Sequence, residues 1–346
     1  MSEQINDELG WHRVSGSPEA IGRQLGCLGR DAVQTFLVRD SLWEEVNSDV
    51  HQPRLAVLEH SVRREFPDIW QELEGLAYGL ELPLQQVFAW NCRGDLLASV
   101  PDGCTTVQLS EEGRHTIAHN EDGLPFFKGH CFIAQVTPNE GPGFASFCYP
   151  GSIPGHTYAV TETGLVQAVN NLRLLGCTPT LPRMVLGRGL MKAQTLDEAL
   201  ALIQQHSSCG GFHFTLAQAG DPRLISIEFG NGQHSIRDIK AAAVHANHAL
   251  HLQSGMQAQA ITESSRDRQI RGEQLLSQGA KSPLDILGDT SGEGLPIHRE
   301  CPDDPDRENT LSTAVITIAK ETISWTIYGS DLSDPPVFKG TVPGHS

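Results

Sequence analysis

One glycine–cysteine pair has the residue types and the setting for nucleophilic chemistry. Gly103 and Cys104 lie between a segment of helical pattern and a run that alternates like a β-strand. A chain that cleaves itself at this bond gives Cys104 a thiol and a free α-amine. The pKa of such an amine is ordinarily about 7.7–8.0, so it can serve as general base. Glycine suits the first position because it tolerates unusual backbone geometry. The structural alternative is an ordinary turn.

An acidic residue follows the cysteine at hairpin distance. A turn near residues 111–113 folds the chain back, so that Asp122 can approach Cys104. A carboxylate in that position can anchor and orient the new α-amine. The structural alternative is an Asp-Gly turn, because aspartate favours such positions for local hydrogen bonds.

Asn247 is the predicted oxyanion donor. Its neutral amide NH₂ can stabilise developing negative charge without titrating. His245, His248 and His251 surround it in the sequence and suggest a metal site as an alternative. No carboxylate or cysteine lies near them in sequence, and a strand continuing from 241–244 would place His245 and His248 on opposite faces. The sequence therefore predicts no bound metal.

Three motifs carry a resemblance to a known family. Gly103-Cys104-Thr105-Thr106, Asn120-Glu121-Asp122 and Val244-His245-Ala246-Asn247-His248 resemble the penicillin acyltransferase family of N-terminal-nucleophile hydrolases and, more distantly, the bile-salt hydrolases. The resemblance extends over essentially the whole chain. It implies a four-layer αββα fold, self-cleavage before the cysteine, and amide chemistry afterwards.

The resemblance also points to supporting residues. In the bile-salt hydrolases an asparagine after a strand lines the site, and the matching position here is Asn171 or, as the alternative, Asn170. Both could instead be turn residues. Arg266 fits the spacing of the bile-salt hydrolases and Arg268 that of the acyltransferases. Either cation would lower the pKa of the thiol, unless it is a solvated helix charge.

Two further residues precede the acidic one and are expected to support the site. His119 and Asn120 stand directly before the Glu121-Asp122 pair. Bile-salt hydrolases carry arginine at the position of His119, so the resemblance assigns this histidine no role.

The remaining pattern predicts an α+β fold with a helical leader, residues 1–103, and an αββα catalytic core, residues 104–346. The leader helix begins at Ser17-Pro18, an N-cap followed by a first-turn proline. A second helix start, 195–198, has the sequence of a capping box. Further helices are predicted at 54–65, 68–79, 182–193, 196–205, 266–277 and 282–288. Strands are predicted at 105–110, 131–136, 165–169, 212–217, 225–229, 313–318 and 322–328.

Composition limits the possible partners. The formal net charge of −17 argues against nucleic acid and anionic membranes as main partners. The first twenty residues lack the apolar run of a secretory signal, and no segment is long enough to span a membrane, so we expect a soluble, cytoplasmic protein. The eight cysteines form no C-x-x-C pair, which predicts mostly buried thiols rather than disulfides.

These features predict an amidohydrolase that cleaves a small N-acyl amine or amino acid amide through a thioester, without a cofactor. Water is the expected acceptor, because no phosphate-binding motif or basic cluster suggests a coenzyme A site. The first alternative is acyl transfer from a thioester to an amine. An alternative of another class is a non-catalytic binding protein on the same fold. The two self-cleavage fragments are expected to remain a heterodimer, or to form a higher oligomer.

Overall fold

Two β-sheets lie face to face in the computed structural model, which describes residues 9–252, 258–280, 282–301 and 303–343. In chain order the strands are β1 (Gly10–Gly16), β2 (Gly103–Glu111), β3 (Arg114–Gly123), β4 (Phe132–Pro138), β5 (Phe144–Cys148), β6 (Ala159–Thr161), β7 (Leu165–Asn171), β8 (Phe212–Gln218), β9 (Leu224–Gly230), β10 (Gln233–Asp238), β11 (Ala243–His245), β12 (Asn309–Ala319), β13 (Thr322–Tyr328) and β14 (Phe338–Pro343).

The first sheet has eight strands in the order β1-β4-β5-β6-β7-β8-β9-β10, and the second has six in the order β11-β2-β3-β12-β13-β14. Strand β1 runs parallel to β4, whereas the other neighbouring pairs are antiparallel. Strand β2 contacts β7 of the opposite sheet, so the middle of the second sheet faces the first.

Helices cover both outer faces. They are α1 (Pro18–Thr35), α2 (Ser41–Val46), α3 (Gln52–Glu65), α4 (Pro67–Leu80), α5 (Leu84–Asn91), α6 (Arg93–Leu96), α7 (Arg183–Leu190), α8 (Leu196–Gln205), α9 (Glu263–Ser277) and α10 (Pro283–Leu287). Helix α1 contacts β4 and α8 contacts β8 of the first sheet, while α9 and α10 contact β2 of the second. The layers therefore follow the order helix, sheet, sheet, helix, which confirms the predicted αββα fold.

Several local predictions are confirmed by the backbone. The Ser17 side chain accepts a hydrogen bond from the Ala20 N–H and so caps α1. Strands β2 and β3 form the predicted hairpin, and its turn contains Gly113 at φ +72°, a conformation that favours glycine. Strands β12 and β13 pair as expected.

The leader is not purely helical, which corrects the prediction for residues 1–103. The sequence of β1 alternates too weakly in hydrophobicity to predict a strand. In the structure β1 pairs with β4, so the leader supplies the edge strand of the first sheet. One hydrophobic core includes Leu25 and Leu58 of the leader together with Phe147 and Ile227 of the later strands. The described part of the leader thus contributes to the same packed core as strands of both sheets.

The predicted capping box at α8 is half correct. The Thr195 side chain accepts from the Glu198 N–H at 3.1 Å, as expected. The Glu198 carboxylate, however, accepts from the Gln194 N–H at 2.8 Å and not from that of Thr195. The helix keeps its side-chain cap, but the reciprocal contact is displaced by one residue.

Candidate active site

Cys104 lies near the start of β2, opposite Glu121 of β3. Side chains alternate along a strand, so Cys104 and Thr106 share a face of the sheet with His119 and Glu121. This face points toward the first sheet, because the Thr106 hydroxyl donates to Asn170 Oδ1 of β7 at 2.7 Å. The nucleophile is therefore held between the two sheets.

Asp122 belongs to the opposite face of the second sheet. Its register partner is Gly103, and its Oδ1 accepts from the Thr310 hydroxyl at 2.7 Å. The hairpin thus brings Asp122 to the Gly103–Cys104 bond, but beside Gly103 and not beside the sulfur. Its Oδ2 is buried and has no hydrogen-bond partner among the residues that the structure describes.

The backbone of Cys104 is fixed by Asn247 and Arg268. The Cys104 N–H donates to Asn247 Oδ1 at 2.9 Å, and Arg268 donates to the Cys104 carbonyl at 2.6 Å. Arg268 also donates to Asn247 Oδ1 at 2.7 Å and to the Thr105 hydroxyl at 2.8 Å. The Asn247 NH₂ group donates to the Asn171 carbonyl at 3.1 Å. Both groups that face Oδ1 are donors only, so the amide orientation is determined by its surroundings.

This geometry bears on the role of Asn247. Its carboxamide oxygen, and not its NH₂ group, faces Cys104 in the continuous chain. Asn247 therefore holds the nitrogen that self-cleavage would convert into the α-amine. The predicted oxyanion role requires the NH₂ group and stays a prediction for the cleaved protein.

Arg268 is at the site and Arg266 is not, which removes Arg266 from the candidates. The side chain of Arg266 is 55% exposed and pairs with the neighbouring Asp267, whereas Arg268 is fully buried. Positions two residues apart on an α-helix point about 200° apart, so only one of them can face the strand. The sequence spacing alone could not choose between them.

Asn170 and Asn120, both predicted to support the site, make hydrogen bonds to other parts of the fold. Asn170 Oδ1 accepts from Thr106, and its NH₂ group donates to the His245 carbonyl at 3.1 Å. Asn120 donates to the Leu287 carbonyl of α10 at 2.8 Å and accepts from Thr313. The contacts of Asn170 join the two sheets, and the contact of Asn120 with Leu287 joins the second sheet to α10. None of these contacts reaches the Gly103–Cys104 bond, so a supporting role of either asparagine at the site stays a prediction.

The sulfur of Cys104 has two titratable neighbours. Among the residues that the structure describes, Cys104, His119 and Glu121 are all buried and have ligand-type atoms within 4.8 Å of one another. A thiolate, an imidazole and a carboxylate could together hold a metal such as zinc. In this structure, however, His119 and Glu121 are hydrogen-bonded to each other at 3.0 Å.

The hydrogen bonds around His119 determine where the proton lies. Thr106 donates its only hydroxyl proton to Asn170, so it accepts from His119 Nδ1 at 2.8 Å. Burial lowers the pKa of His119 to about 3, so the ring is neutral and Nε2 carries no proton. The Glu121 carboxyl must then donate to Nε2. Burial raises the pKa of Glu121 well above its usual range, in agreement with a neutral carboxylic acid.

The Cys104 thiol itself is protonated in the continuous chain. Burial raises its pKa well above the usual range, and the nearby carboxylates of Asp122 and Asp102 act in the same direction. Arg268 lowers the pKa, as predicted for a cation at this site, but its effect is outweighed. The thiol must therefore give up its proton to a nearby group as it attacks a carbonyl carbon.

Glu308 is a site residue that the sequence analysis missed. It is fully buried, and a Cβ placed on Gly103 would lie only 2.7 Å from Glu308 Cδ. Burial raises the pKa of Glu308 to about 7, although Arg173, Arg268 and Arg299 oppose that shift. Glu308 follows a loop without helical or strand pattern, so no sequence signal placed it beside Gly103.

Hydrogen bonds from Arg173 and Asn171 hold the end of the leader, just before Cys104, in place. Arg173 donates to the Ser99 hydroxyl at 3.2 Å and to the Val100 carbonyl at 3.1 Å. The Asn171 NH₂ group donates to the Asp102 carbonyl at 3.4 Å, so Asn171 does contact the segment before the cleavage site. Cys104 is only 3% exposed. In the continuous chain the thiol is therefore closed to an external substrate.

The three histidines around Asn247 have separate partners. His245 Nε2 faces Glu228 Oε1 at 2.8 Å, His248 Nδ1 faces the Ser265 hydroxyl at 2.8 Å, and His251 Nε2 faces the Ser226 hydroxyl at 3.0 Å. No carboxylate lies near these rings in sequence, but β9 brings Glu228 to His245 in the folded chain. That carboxylate also accepts from the backbone N–H of Leu250 and Leu252, which directs it to the loop.

The other cysteines are free thiols and most of them are buried, as predicted. All eight are free thiols, and Cys92, Cys131, Cys148 and Cys209 are buried like Cys104. Burial raises the pKa of Cys148 to about 12 and that of Cys131 well above its usual range. Within the part of the chain that the structure describes, no helix has the length and apolar character of a membrane span.

Comparison with known proteins places the chain among acyl-transferring enzymes. The profile of the family named acyl-coenzyme A:6-aminopenicillanic acid acyl-transferase matches residues 109–331, about two thirds of the chain. The match begins five positions after Cys104 and includes Asp122, Asn247 and Arg268.

Two curated relatives are similar over most of their length. A β-alanyl-dopamine/carcinine hydrolase of Drosophila melanogaster is 24% identical over 352 aligned residues, which cover 89% of this chain and 90% of that protein. The 40 kDa form of an acyl-coenzyme A:6-aminopenicillanic-acid-acyltransferase of Emericella nidulans is 26% identical over 330 aligned residues, which cover 89% of this chain and 86% of that protein.

Solved structures give weaker matches. Penicillin V acylase from Agrobacterium tumefaciens aligns with a TM-score of 0.37 at 14% identity, over 64% of this chain and 82% of that one. A cysteine-to-alanine mutant of conjugated bile acid hydrolase from Clostridium perfringens aligns with a TM-score of 0.39 at 12% identity, over 70% of this chain and 97% of that one.

Proposed function

Because this chain belongs to the acyl-coenzyme A:6-aminopenicillanic acid acyl-transferase family, a family of enzymes on the N-terminal-nucleophile fold, we propose that it cleaves itself before Cys104 and then hydrolyses a small N-acyl amine or amino acid amide. One observation carries the proposal: the Gly103–Cys104 bond begins a buried strand whose Cys104 N–H and C=O are held by Asn247 and Arg268. Holding the backbone of Cys104 on both sides of its α-carbon restricts the positions from which its thiol can attack the preceding carbonyl.

Self-cleavage proceeds by transfer of the acyl group from nitrogen to sulfur. The Cys104 sulfur attacks the Gly103 carbonyl carbon, the S–C bond forms, and the C–N bond breaks. The thiol proton goes to the departing nitrogen, which becomes the α-amine beside Asn247. Water then hydrolyses the thioester, leaving a carboxylic acid on Gly103 and restoring the thiol.

Turnover repeats this chemistry on an external amide. The α-amine of Cys104 takes the thiol proton, and the sulfur attacks the substrate carbonyl. The amine product leaves with that proton, and water resolves the thioester to a free acid. Asp122 orients the α-amine, and the Asn247 NH₂ group, once it is free of Asn171, stabilises the oxyanion.

We propose water as the usual acceptor because one relative, similar over 89% of this chain, is a β-alanyl-dopamine/carcinine hydrolase. The rival is acyl transfer from a thioester to an amine, as the name of the Emericella relative implies. Both use the same acyl-enzyme and differ only in what reaches it. A panel of N-acyl amines and acyl thioesters, followed by mass spectrometry with and without added amine, separates them. Amide formation that outruns acid release at millimolar amine would favour transfer.

The non-catalytic alternative has no support, since the family is enzymatic and the chain retains Cys104, Asp122 and Asn247. We propose that fragments 1–103 and 104–346 stay associated after cleavage as a cytoplasmic heterodimer. Strand β1 and helices α1–α4 share a hydrophobic core with the later strands, which supports that association.

A further inference from the structure

The position of Gly103 is a template for the acyl group of the substrate. In self-cleavage Gly103 is the acyl group that passes to the Cys104 sulfur, and in turnover the substrate acyl group forms the same thioester. The Gly103 acyl group and the substrate acyl group must therefore each place their carbonyl carbon against the same Cys104 sulfur. The α-carbon of Gly103 therefore marks where carbon 2 of a substrate acyl group lies. This step rests on the proposed function.

Two carboxyl-bearing side chains form a wall on one side of that carbon. A Cβ built on Gly103 would lie 2.7 Å from Glu308 Cδ and 3.2 Å from Asp122 Cβ, with Glu308 Oε2 closer still. Distances below 3.0 Å do not occur for real Cβ atoms without a shift of their neighbours. A single methyl group on this side of carbon 2 therefore collides with Glu308.

Glu308 cannot readily move aside. Its Oε1 accepts from Arg173 Nη2 at 3.0 Å, and its Oε2 lies 3.6 Å from Arg299 Nη1. The carboxylate is fully buried, so rotating it would break the contact with Arg173 inside the protein. Arg173 in turn is held by Ser99 and Val100.

The backbone does not explain why glycine stands at 103. Gly103 is not among the glycines with positive φ, so its conformation is open to other residues, which corrects the expectation of unusual geometry. Space, and not backbone freedom, excludes a side chain here. We infer that the wall of Glu308 and Asp122 makes the enzyme selective for acyl groups with an unbranched carbon 2, and that Glu308 is the specificity-determining residue.

Two matched substrate pairs test the inference in turnover: propionyl against isobutyryl amide, and glycyl against L-alanyl amide, all of 2-phenylethylamine. Within each pair that is turned over, wild type should prefer the unbranched acyl group by about 10- to 100-fold in kcat/KM. Glu308→Asp keeps the carboxyl group but shortens the side chain by one methylene, which moves the carboxyl group away from carbon 2. This variant should reduce the preference to about threefold or less. Glu308→Gln keeps the size and should retain the preference.

Self-cleavage provides a second test that needs no external substrate. Gly103→Ala should slow cleavage by about 10- to 100-fold, because its methyl group meets Glu308. Adding Glu308→Asp to Gly103→Ala should restore most of the rate, whereas adding Glu308→Gln should not. Intact mass against time measures all three, and circular dichroism checks that each variant folds.

The outcomes separate this inference from the proposed function. If no amide is turned over but Gly103→Ala is rescued only by Glu308→Asp, the proposed hydrolysis fails and the steric wall stands. If wild type turns over branched and unbranched acyl groups equally, the inference is overturned while amide hydrolysis stands. Equal rescue by Glu308→Asp and Glu308→Gln would likewise overturn it, because Glu308→Gln keeps the size of the side chain and so relieves no steric contact.

Discussion

The carboxamide oxygen of Asn247 accepts a hydrogen bond from the backbone N–H of Cys104 at 2.9 Å, across 143 positions of sequence. The same oxygen accepts from Arg268, which also binds the Cys104 carbonyl. One asparagine and one arginine therefore hold both polar groups of the nucleophile's backbone. In the proposed cleavage this N–H would become the α-amine, so Asn247 already contacts the atom that we propose as general base.

Asn247→Ala should impair the chemical step more than substrate binding. If its NH₂ group meets the oxyanion in the cleaved enzyme, kcat should fall by about 10²- to 10³-fold while KM changes little, because that charge appears only in the transition state. Steady-state kinetics, normalised to the cleaved fraction, provide the measurement. A raised KM with an unchanged kcat would contradict the oxyanion role.

Cys104→Ala should abolish both self-cleavage and turnover, because the thiol is the attacking atom in both. Fresh wild-type protein should yield fragments 1–103 and 104–346 on denaturing electrophoresis, with cysteine at the N-terminus of the larger one. Cys148→Ala is the matched control, since burial raises the pKa of that thiol to about 12 and it lies outside the site. A fully active enzyme made only of uncleaved chain would refute the mechanism.

The two arginines of α9 give a second matched pair. Arg268→Lys replaces a planar group that binds Cys104, Thr105 and Asn247 with a single ammonium, so self-cleavage should slow by about tenfold or more. Arg266→Ala removes an exposed side chain and should change the free energy of unfolding by less than about 0.5 kcal/mol. Cleavage time courses and denaturant titrations check both. Equal effects of the two substitutions would contradict the assignment.

Glu121→Gln should be well tolerated if Glu121 is a neutral acid. The glutamine NH₂ group can donate to His119 Nε2, and its oxygen can accept from the Tyr149 hydroxyl, as the acid does. Glu121→Leu leaves His119 Nε2 buried without a hydrogen bond and leaves the Tyr149 hydroxyl with only the Asp122 carbonyl at 3.3 Å, so it should lower the free energy of unfolding by about 1–3 kcal/mol. Denaturant titration of both variants is the measurement, and a large loss with glutamine would indicate an ionised Glu121.

Sequence patterns predicted what depends on local periodicity. The hairpin that pairs Cys104 with Glu121, the capped start of α1 and the layer order follow from alternation, caps and the family resemblance. The choice between Arg266 and Arg268 depends on how α9 is rotated against β2, which periodicity does not specify. Glu308 reaches Gly103 through the pairing of β12 with β3, a contact between residues about two hundred positions apart. Such tertiary contacts leave no pattern in a single sequence.

The pH dependence of stability should reveal the buried Glu308. Its pKa is about 7 in the folded chain and 4.5 in the reference state, so the native state binds more protons between these values. The contribution of this extra proton binding at Glu308 to the free energy of unfolding is complete below about pH 4.5 and is lost as the pH rises through 7. The shift corresponds to about 3 kcal/mol. Glu308→Gln has no proton to lose there and should lack this dependence.

The measurement is the free energy of unfolding of wild type and Glu308→Gln at intervals from pH 4.5 to 8, both in the Cys104→Ala background. That background keeps the chain continuous, so that cleavage does not change the protein during the titration. Asp95, whose pKa burial raises to about 6, titrates equally in both proteins and cancels in their difference. Wild type should lose stability relative to Glu308→Gln by about 2–3 kcal/mol as the pH rises. A difference that stays constant across this range would show that Glu308 remains ionised beside Arg173.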